Sequence, residues 1–334
     1  MNANISPALP ADLSQHPGYS RVFQPGKLSI GFIMPLESYP DSPFPTLAEH
    51  GRLARLADEA GFAALWMRDV PFFDPRFGDT GQMLDPMVYL GYLASQTRNI
   101  ALGTAGIVLP LRDPIIVAKQ AASVDVLSDQ RLVLGLSTGD RPTEYPAFAA
   151  DFDNRAERYR EGIGLIRTLT EESFPVGRTR HYGTFRGNLD LIPKPVGPRL
   201  PMVVVGRARQ DMHWIAKHTD GWIGHLSDFG RLHHLLDDWR KAGEGLGFKP
   251  YGYGSFFDLA ENPDAPLHYI GNRFSVGRNA LIDLWSRQQE QGVSHVYECG
   301  PGKVLSGLIK RIDREIAARP LETGEAFEVA LKGE

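Results

Sequence analysis

The sequence of 334 residues has only one cysteine, Cys299, so no disulfide can form within the chain, and a reducing cytoplasm suits it. No apolar run approaches the ~20 residues that a membrane-spanning helix requires. Charge of neither sign is in clear excess, with 36 basic and 40 acidic residues, which argues against nucleic acid and anionic membranes as partners. A phosphate-binding GxGxxG motif near the start is also missing. We therefore expect a cytoplasmic protein that acts on a small-molecule substrate.

Short apolar runs alternate with amphipathic segments along most of the chain. Eight runs have the length and composition of strands: 28–34, 63–67, 100–104, 132–136, 202–205, 222–225, 252–259 and 293–299. Helical spacing predicts the helices that follow them: 46–60, 85–97, 114–127, 154–169, 210–218, 232–244, 278–291 and 304–317. Eight strand–helix units in this length predict an α/β fold, a (β/α)8 TIM barrel. A doubly wound sheet is the alternative, although it typically has fewer units and a GxGxxG motif.

Local signals mark the starts and stops of two of these helices. Asp113 is a candidate N-cap, and Pro114 occupies the first helical position. Thr46 and Glu49 match a capping box, and Gly61 is a typical stop. These signals predict helices over 114–127 and 46–60.

Prolines and glycines interrupt the alternation over residues 172–200, where the string HYGTFRGNLDLIP can form a short hairpin. We interpret this segment as an insertion between the fourth helix and the fifth strand, either a lid on the barrel or a packed surface excursion. Residues 1–27 lack the regions of a signal peptide and are predicted to form a mobile or surface-draped arm. The barrel domain then spans residues 28–320, with 321–334 as a tail.

Several predicted strands end in small or polar residues. The third ends in Thr104-Ala105-Gly106, and the fourth is followed by Ser137-Thr138-Gly139. The segment 206–210 follows the fifth strand and opens a predicted helix, so its free backbone N–H groups suit an anion. Because ligands of such barrels bind at the C-terminal ends of the strands, we expect the active site there.

Motifs spread along the chain carry a family resemblance. They are GFIM from Gly31, LWMRD from Leu65, GTAGIVLPLRDP from Gly103, RLVLGLSTGD from Arg131, VVVG from Val203 and DGW from Asp220. Their order over residues 28–317 resembles that of the bacterial luciferase-like flavin monooxygenases. The resemblance implies a (β/α)8 barrel with an insertion and a homodimer. It also implies reduced FMN, supplied by a separate flavin reductase and reacting with O2, whereas a minority branch uses a deazaflavin coenzyme for hydride transfer.

The resemblance also implies which residues hold the flavin. Met34, Thr104, Ala105 and Gly106 form the slot for the ring, with a non-proline cis peptide at Ala105–Gly106. Ser137, Thr138 and Gly139 face the ribityl chain or the pyrimidine edge, and Ser137 stands where luciferase has a reactive cysteine. The phosphate anchor consists of Val205, Gly206, Arg207, Ala208 and Gln210, with Arg209 adding charge.

The sequence departs from the family at a group that transfers protons, because Val70 stands where the family has a histidine. Asp69 matches the preceding acid, either as a neutral acid whose pKa is raised by the apolar slot or as an ion-pair partner of Arg68. His225, at the end of the sixth strand, is the candidate acid–base histidine.

On the substrate side we place Arg141, Glu144 and Tyr145, with a salt bridge between Arg141 and Glu144 as the alternative. Aromatic residues near Glu37 predict an apolar substrate cavity, or else loop packing or a dimer interface: Tyr39, Phe44, Phe72, Phe73 and Phe77. No metal site is expected, because His233 and His234 are adjacent and point to different faces of a helix.

These observations predict a two-component monooxygenase that uses reduced FMN and O2 on a small apolar molecule. A deazaflavin-dependent hydride-transfer enzyme and a non-catalytic flavin-binding protein are the alternatives.

Overall fold

A computed structural model describes residues 8–36, 42, 44–76 and 84–298 of the chain. Thirteen strands occur in this part: β1 Ser29–Ile33, β2 Ala64–Met67, β3 Ala101–Thr104, β4 Ile107–Val108, β5 Leu132–Ser137, β6 Val176–Arg178, β7 Thr184–Arg186, β8 Met202–Val205, β9 Gly221–His225, β10 Tyr251–Leu259, β11 His268–Ile270, β12 Arg273–Val276 and β13 His295–Glu298. Eight of them pair in parallel in the order β1, β2, β3, β5, β8, β9, β10 and β13, and β13 pairs with β1 to close the ring. The predicted (β/α)8 barrel is confirmed, and the doubly wound sheet is excluded.

Eight α-helices occur in the described residues: α1 Pro17–Val22, α2 His50–Glu59, α3 Pro86–Gln96, α4 Pro114–Leu127, α5 Arg155–Glu171, α6 Met212–His218, α7 Leu232–Ala242 and α8 Arg278–Gln291. None of these is long and apolar enough to cross a membrane. Cys299, the predicted helix 304–317 and the tail lie outside the described residues.

The helix signals have mixed outcomes. The Asp113 side chain accepts a hydrogen bond from the Ile115 N–H at 2.8 Å, so the predicted N-cap of α4 is confirmed. The predicted capping box is wrong, because α2 begins at His50 with no side-chain cap. The Thr46 hydroxyl instead accepts from the Ala48 N–H at 3.2 Å, which stabilises a turn before the helix.

Inside the barrel, glycines make room for three large side chains from β2 and β13. A Cβ atom on Gly103 would lie 2.3 Å from the Trp66 ring, and one on Gly254 would lie 2.2 Å from the Tyr297 ring. Trp66 Nε1 donates to His295 Nε2 at 2.9 Å. His295 Nδ1 lies 2.7 Å from Ser29 Oγ, which donates to the Val22 carbonyl at 2.6 Å. Nδ1 therefore carries the proton of a neutral imidazole, and burial lowers the pKa of His295 to about 3.

The segment before β1 closes the N-terminal end of the barrel. Tyr19, Val22 and Phe23 are fully buried in one apolar cluster with inward-facing residues of β2, β3, β5, β8, β9 and β13. The Tyr19 hydroxyl donates to the Asp220 carbonyl at 2.7 Å, just before β9. The Gly18 N–H donates to the Gln130 carbonyl at 3.0 Å, just before β5. The prediction of a mobile or surface-draped arm is therefore wrong for residues 8–27, because their apolar side chains complete the core.

The segment between α5 and β8 packs on the outside of the barrel. The β6–β7 hairpin lies against α5, where the Tyr182 hydroxyl donates to the Arg158 carbonyl at 3.3 Å. Further along, the Val196 N–H donates to the Asp125 side chain of α4 at 3.0 Å. The hairpin thus lies beside the first turns of α5, and no residue of 172–200 lines the cavity described below. The packed surface excursion describes residues 172–200 in this structure, and the lid stays a prediction.

Candidate active site

A cavity of about 420 Å³ opens at the C-terminal ends of the barrel strands. Most of the residues predicted for the site line it together: Asp69, Ala105, Gly106, Ser137, Thr138, Gly139, Val205, Gly206, Arg207, Ala208 and His225. The topology brings them together from β2, β3, β5, β8 and β9, although they are far apart in the sequence. The cavity therefore lies at the strand ends where the sequence predicts a ligand site.

Three predicted residues do not line the cavity. Met34 is fully buried in the outer layer of the core that packs on the helices, and its neighbour Ile33 lines the cavity instead. The Thr104 hydroxyl donates to the Gly135 carbonyl at 2.7 Å and accepts from the Gly135 N–H at 2.9 Å, which joins β3 to β5. The Gln210 amide donates to the Ala208 carbonyl at 2.9 Å. These side chains support the wall rather than face a ligand.

The floor of the cavity is built from β3 and β5. The Ala105–Gly106 peptide bond is cis, as predicted. A Cβ atom on Gly135 would lie 1.8 Å from the Thr104 carbonyl oxygen, so only glycine lets the two strands approach this closely. Ser137 Oγ donates to the Gly106 carbonyl at 3.3 Å. Small residues therefore leave a flat surface between the two strand ends.

Asp69 is held by Arg112 in a clamp behind this surface. Arg112 donates from Nε to Asp69 Oδ2 at 2.8 Å and from Nη2 to Oδ1 at 2.6 Å. Asp69 Oδ2 also accepts from the Val108 N–H at 2.9 Å, and Arg112 Nη2 reaches Asp85 at the start of α3. The predicted ion pair of Asp69 thus exists, but its partner is Arg112 rather than Arg68. These three donors hold the Asp69 side chain in the wall as an ion-pair partner, which was the second of its two predicted roles.

The turn after β8 offers backbone N–H groups to the cavity. Gly206, Ala208 and Arg209 have φ angles of 70°, 43° and 58°. Within the described residues, the N–H groups of Arg207, Ala208 and Arg209 donate no hydrogen bond to the chain. Successive N–H groups in such a turn form an anion-binding concavity. The predicted anchor is therefore a turn rather than a helix start, because α6 begins only at Met212.

Two arginines belong to this turn, and only one of them lines the cavity. The Arg207 guanidinium lies 4.8 Å from the centre of the Trp222 ring and lines the cavity. Trp222 in turn donates from Nε1 to the Gly206 carbonyl at 2.6 Å. Arg209 is exposed and does not line the cavity. Arg207 is thus the cation placed to reach an anion bound in the turn.

After β5, the strand that pairs with β8, Arg141 and Glu144 face each other with 3.9 Å between Nη1 and Oε1. Their side chains are only 6% and 7% exposed. The Tyr145 hydroxyl donates to the Thr138 carbonyl at 2.6 Å, which fixes the short helix that carries the pair. Burial raises the pKa of Glu144 above its ordinary value of 4.5, while the Arg141 charge opposes the shift. The salt bridge predicted as the alternative for this pair is therefore present, with a separation longer than a hydrogen bond.

His225 ends β9 at the cavity wall, and its ring lies 5.6 Å from that of Phe256. Desolvation and the nearby positive charge of Arg68 lower the pKa of His225 below 6.5. The imidazole is therefore neutral at pH 7, and a neutral imidazole can accept a proton.

Exposed aromatic rings pack in pairs in the segments that follow β1, β2 and β5. Phe72 packs on Phe148 at 5.7 Å between ring centres, and Phe44 packs on Phe73 at 5.0 Å. Glu37, Tyr39 and Phe77 lie outside the described residues. Asp140, Phe256 and Tyr297 also line the cavity, although the sequence argument assigned them no role there. Their positions just after β5 or on β10 and β13 are the signal that would have found them. No group of three potential metal ligands occurs in the part of the chain described.

The chain is similar to known oxidoreductases. The family model described as luciferase-like monooxygenase matches residues 28–299. An F420-dependent hydroxymycolic acid dehydrogenase of Mycobacterium tuberculosis is 30% identical over 267 residues, which are 78% of this chain and 68% of the relative. A 4-hydroxyprotoasukamycin monooxygenase of Streptomyces nodosus subsp. asukaensis is 28% identical over 180 residues, which are 53% of this chain and 47% of the relative. The crystal structure of a monooxygenase from Streptomyces bottropensis superposes with a TM-score of 0.67 at 20% identity, covering 82% of this chain and 93% of that one.

Proposed function

Because the chain belongs to the luciferase-like monooxygenase family, and is thus a flavin- or deazaflavin-dependent oxidoreductase, we propose that its coenzyme is the deazaflavin F420. In this proposal the enzyme moves a hydride between the coenzyme and the carbon of a hydroxyl or carbonyl group in an apolar substrate. The observation that carries the proposal is the 30% identity, over 78% of the chain, to an F420-dependent dehydrogenase. The family membership also makes the chain an enzyme, against the non-catalytic alternative.

The residues of the cavity fit this coenzyme. A bound deazaflavin supplies a ring carbon that accepts or returns a hydride. The flat surface around Ala105 and Gly106 suits the ring, and the N–H groups of the 207–209 turn suit its phosphate. F420 carries further carboxylates beyond the phosphate, and the cations of Arg207 and Arg209 flank the same turn. These features support a coenzyme with an extended anionic tail.

His225 is the residue that we propose as proton acceptor. When an alcohol is oxidised, its carbon loses a hydride and its oxygen loses a proton, which leaves a carbonyl group. The neutral imidazole of His225 lines the cavity and can take that proton. In the reverse direction the imidazolium returns it to the oxygen. Val70 leaves no imidazole at the neighbouring position.

A monooxygenase that uses FMN is the second candidate, favoured by the similarity to the Streptomyces nodosus monooxygenase over 53% of the chain. It would need reduced FMN from a separate flavin reductase, with O2 as the oxidant, and an apolar cavity to exclude water. For either candidate we propose a homodimer. Exposed apolar side chains on α3 and α4 support it, such as Val88 at 71% and Ile116 at 55% exposure.

A titration distinguishes the two coenzymes. The purified chain is titrated with oxidised F420 and separately with oxidised and reduced FMN, and absorbance and fluorescence are followed. Micromolar or tighter binding of F420, with FMN at least tenfold weaker, is the expected result. Preference for FMN would transfer the proposal to the monooxygenase. Binding of neither would contradict the phosphate site in the 207–209 turn.

A further inference from the structure

One carboxyl oxygen in the cavity wall has no hydrogen-bond donor in the described part of the chain. It is Oε1 of Glu144, which is buried and without a hydrogen-bond partner. The side chain is 7% exposed and lines the cavity next to Arg141. The 3.9 Å between Arg141 Nη1 and this oxygen permits ionic attraction but is too long for a hydrogen bond. Because a buried carboxylate without a donor is costly, the arrangement suits a ligand that brings a donor.

The backbone holds the pair rigidly in place. The Glu144 N–H donates to the Arg141 carbonyl at 3.1 Å, in the first turn of the short helix Pro142–Phe148. The next residue, Tyr145, anchors this helix to the Thr138 carbonyl at the end of β5. A recognition group positioned in this way loses little entropy when a ligand binds.

We propose that Arg141 and Glu144 form the subsite for the substrate oxygen: the Glu144 carboxylate accepts from an alcohol hydroxyl, and the protonated Glu144 donates to a ketone. Arg141 donates to the same oxygen in both cases. The inference rests on the proposed function, because it concerns the hydroxyl and carbonyl forms that hydride transfer interconverts. Because a hydroxyl has a single hydrogen, that hydrogen points to Glu144 in the bound alcohol and turns to His225 when the proton is transferred. Glu144 therefore determines which substrates bind, and His225 takes the proton.

The charges around Glu144 support both protonation states. Burial raises the pKa of Glu144 most, and the carboxylates of Asp69, Asp140 and Asp74 add to the shift, whereas Arg141 lowers it. Among the described residues, the remaining charged or titratable side chains of the cavity wall are those of Arg68, Arg207, His225 and Tyr297. Glu144 thus exchanges its proton at a higher pH than an exposed glutamate does.

The apolar residues that line the cavity indicate what kind of carbon skeleton the substrate has. Ile33, Val108 and Phe256 line the same cavity as the pair. Burial of apolar and aromatic carbon is favourable on these surfaces. The substrate class is an apolar molecule that carries one secondary hydroxyl or ketone group.

Three probes of one shape test the subsite: 1-phenylethanol, acetophenone and ethylbenzene. Their affinities for the full chain, with and without F420, are measured by ligand-observed NMR between pH 5 and 8. As the pH rises, the alcohol should bind more tightly and the ketone more weakly, because Glu144 changes from donor to acceptor. Ethylbenzene should bind independently of pH.

Two variants and a control decide the outcome. In Glu144→Gln the amide can donate and accept, so both oxygenated probes should still bind but lose their dependence on pH. In Glu144→Leu the preference for the alcohol over ethylbenzene should fall by about tenfold, the loss expected for a charged hydrogen bond. Glu171→Gln, a partly exposed carboxylate paired with Arg167 at the far end of α5, should behave as wild type. Circular dichroism checks that each variant is folded.

The inference is overturned if Glu144→Gln keeps the pH dependence, which would then belong to His225, or if Glu144→Leu keeps the preference. It is also overturned if wild type binds none of the probes. The F420 titration is read separately. A chain that shows the Glu144-dependent pH effect without binding F420 retains the subsite and loses the proposed coenzyme.

Discussion

Replacement of Arg112 by alanine should destabilise the barrel and loosen the cavity floor. Arg112 makes two hydrogen bonds to Asp69, and the Asp69 side chain is only 3% exposed. Without Arg112, the carboxylate keeps the Val108 N–H as its one remaining donor in the described chain. Removal of one partner from a buried ion pair costs about 3–5 kcal/mol. Since Arg112 is 22% exposed, water can reach the vacated position. We therefore expect the free energy of unfolding to fall by about 3 kcal/mol.

The assay is urea denaturation at pH 7.5, followed by far-UV circular dichroism and by F420 affinity for the folded variant. Arg76→Ala is the matched control, because Arg76 pairs with Asp74 nearby but is 78% exposed. It should unfold at the same urea concentration as wild type. Asp69→Asn combined with Arg112→Ala should cost less than the two single changes added together, because no charge is then left buried. If Arg112→Ala unfolds no earlier than Arg76→Ala, the clamp does not stabilise the fold and our reasoning is wrong.

Three other changes test different parts of the structure. Gly103→Ala places a methyl group 2.3 Å from the Trp66 ring and should cost about 1–3 kcal/mol in denaturant unfolding; Gly91→Ala, with nothing within 4 Å, should be neutral or stabilising. His295 has a pKa of about 3 when folded, against 6.5 for an ordinary histidine, so its contribution to stability is complete above pH 6.5 and is lost as the pH falls toward 3. His295→Asn should therefore lower the free energy of unfolding by more at pH 7.5 than at pH 5. An equal loss at the two pH values would count against a neutral buried imidazole. His225→Gln should keep F420 affinity but lower turnover of an accepted alcohol by about 10²–10⁴-fold; unchanged turnover would remove His225 from the mechanism.

The elements that sequence predicted well are those whose pattern is local. The spacing of apolar residues located the eight barrel strands, and the 278–291 segment is α8 with the same bounds. The end of β5 was also locatable, because Ser137, Thr138 and Gly139 follow an unbroken apolar run. Site residues on strand ends could be placed for the same reason.

What could not be predicted depends on contacts between distant residues. Asp69 and Arg112 are 43 positions apart. Arg68 is next to Asp69 in the sequence, and no local pattern shows that Arg112 is the partner instead. Likewise the pairing of Trp66 with His295 spans 229 positions. The orientation of Met34 was missed because a shift of one residue along a strand moves a side chain to the other face.

The position of α1 has a consequence for synthesis of the protein on the ribosome. This helix leaves the exit tunnel before the barrel strands, but its binding surface is made of residues from six strands, the last of them β13. The hydrogen bond from Tyr19 to the Asp220 carbonyl spans 201 positions, so it cannot form before most of the chain has been translated. Until then, Tyr19, Val22 and Phe23 remain without their native partners, and they form a short apolar segment of the kind that chaperones shield. Such long-range contacts also slow folding. The helix α1 thus precedes the barrel strands in the chain but docks only after most of them have been made.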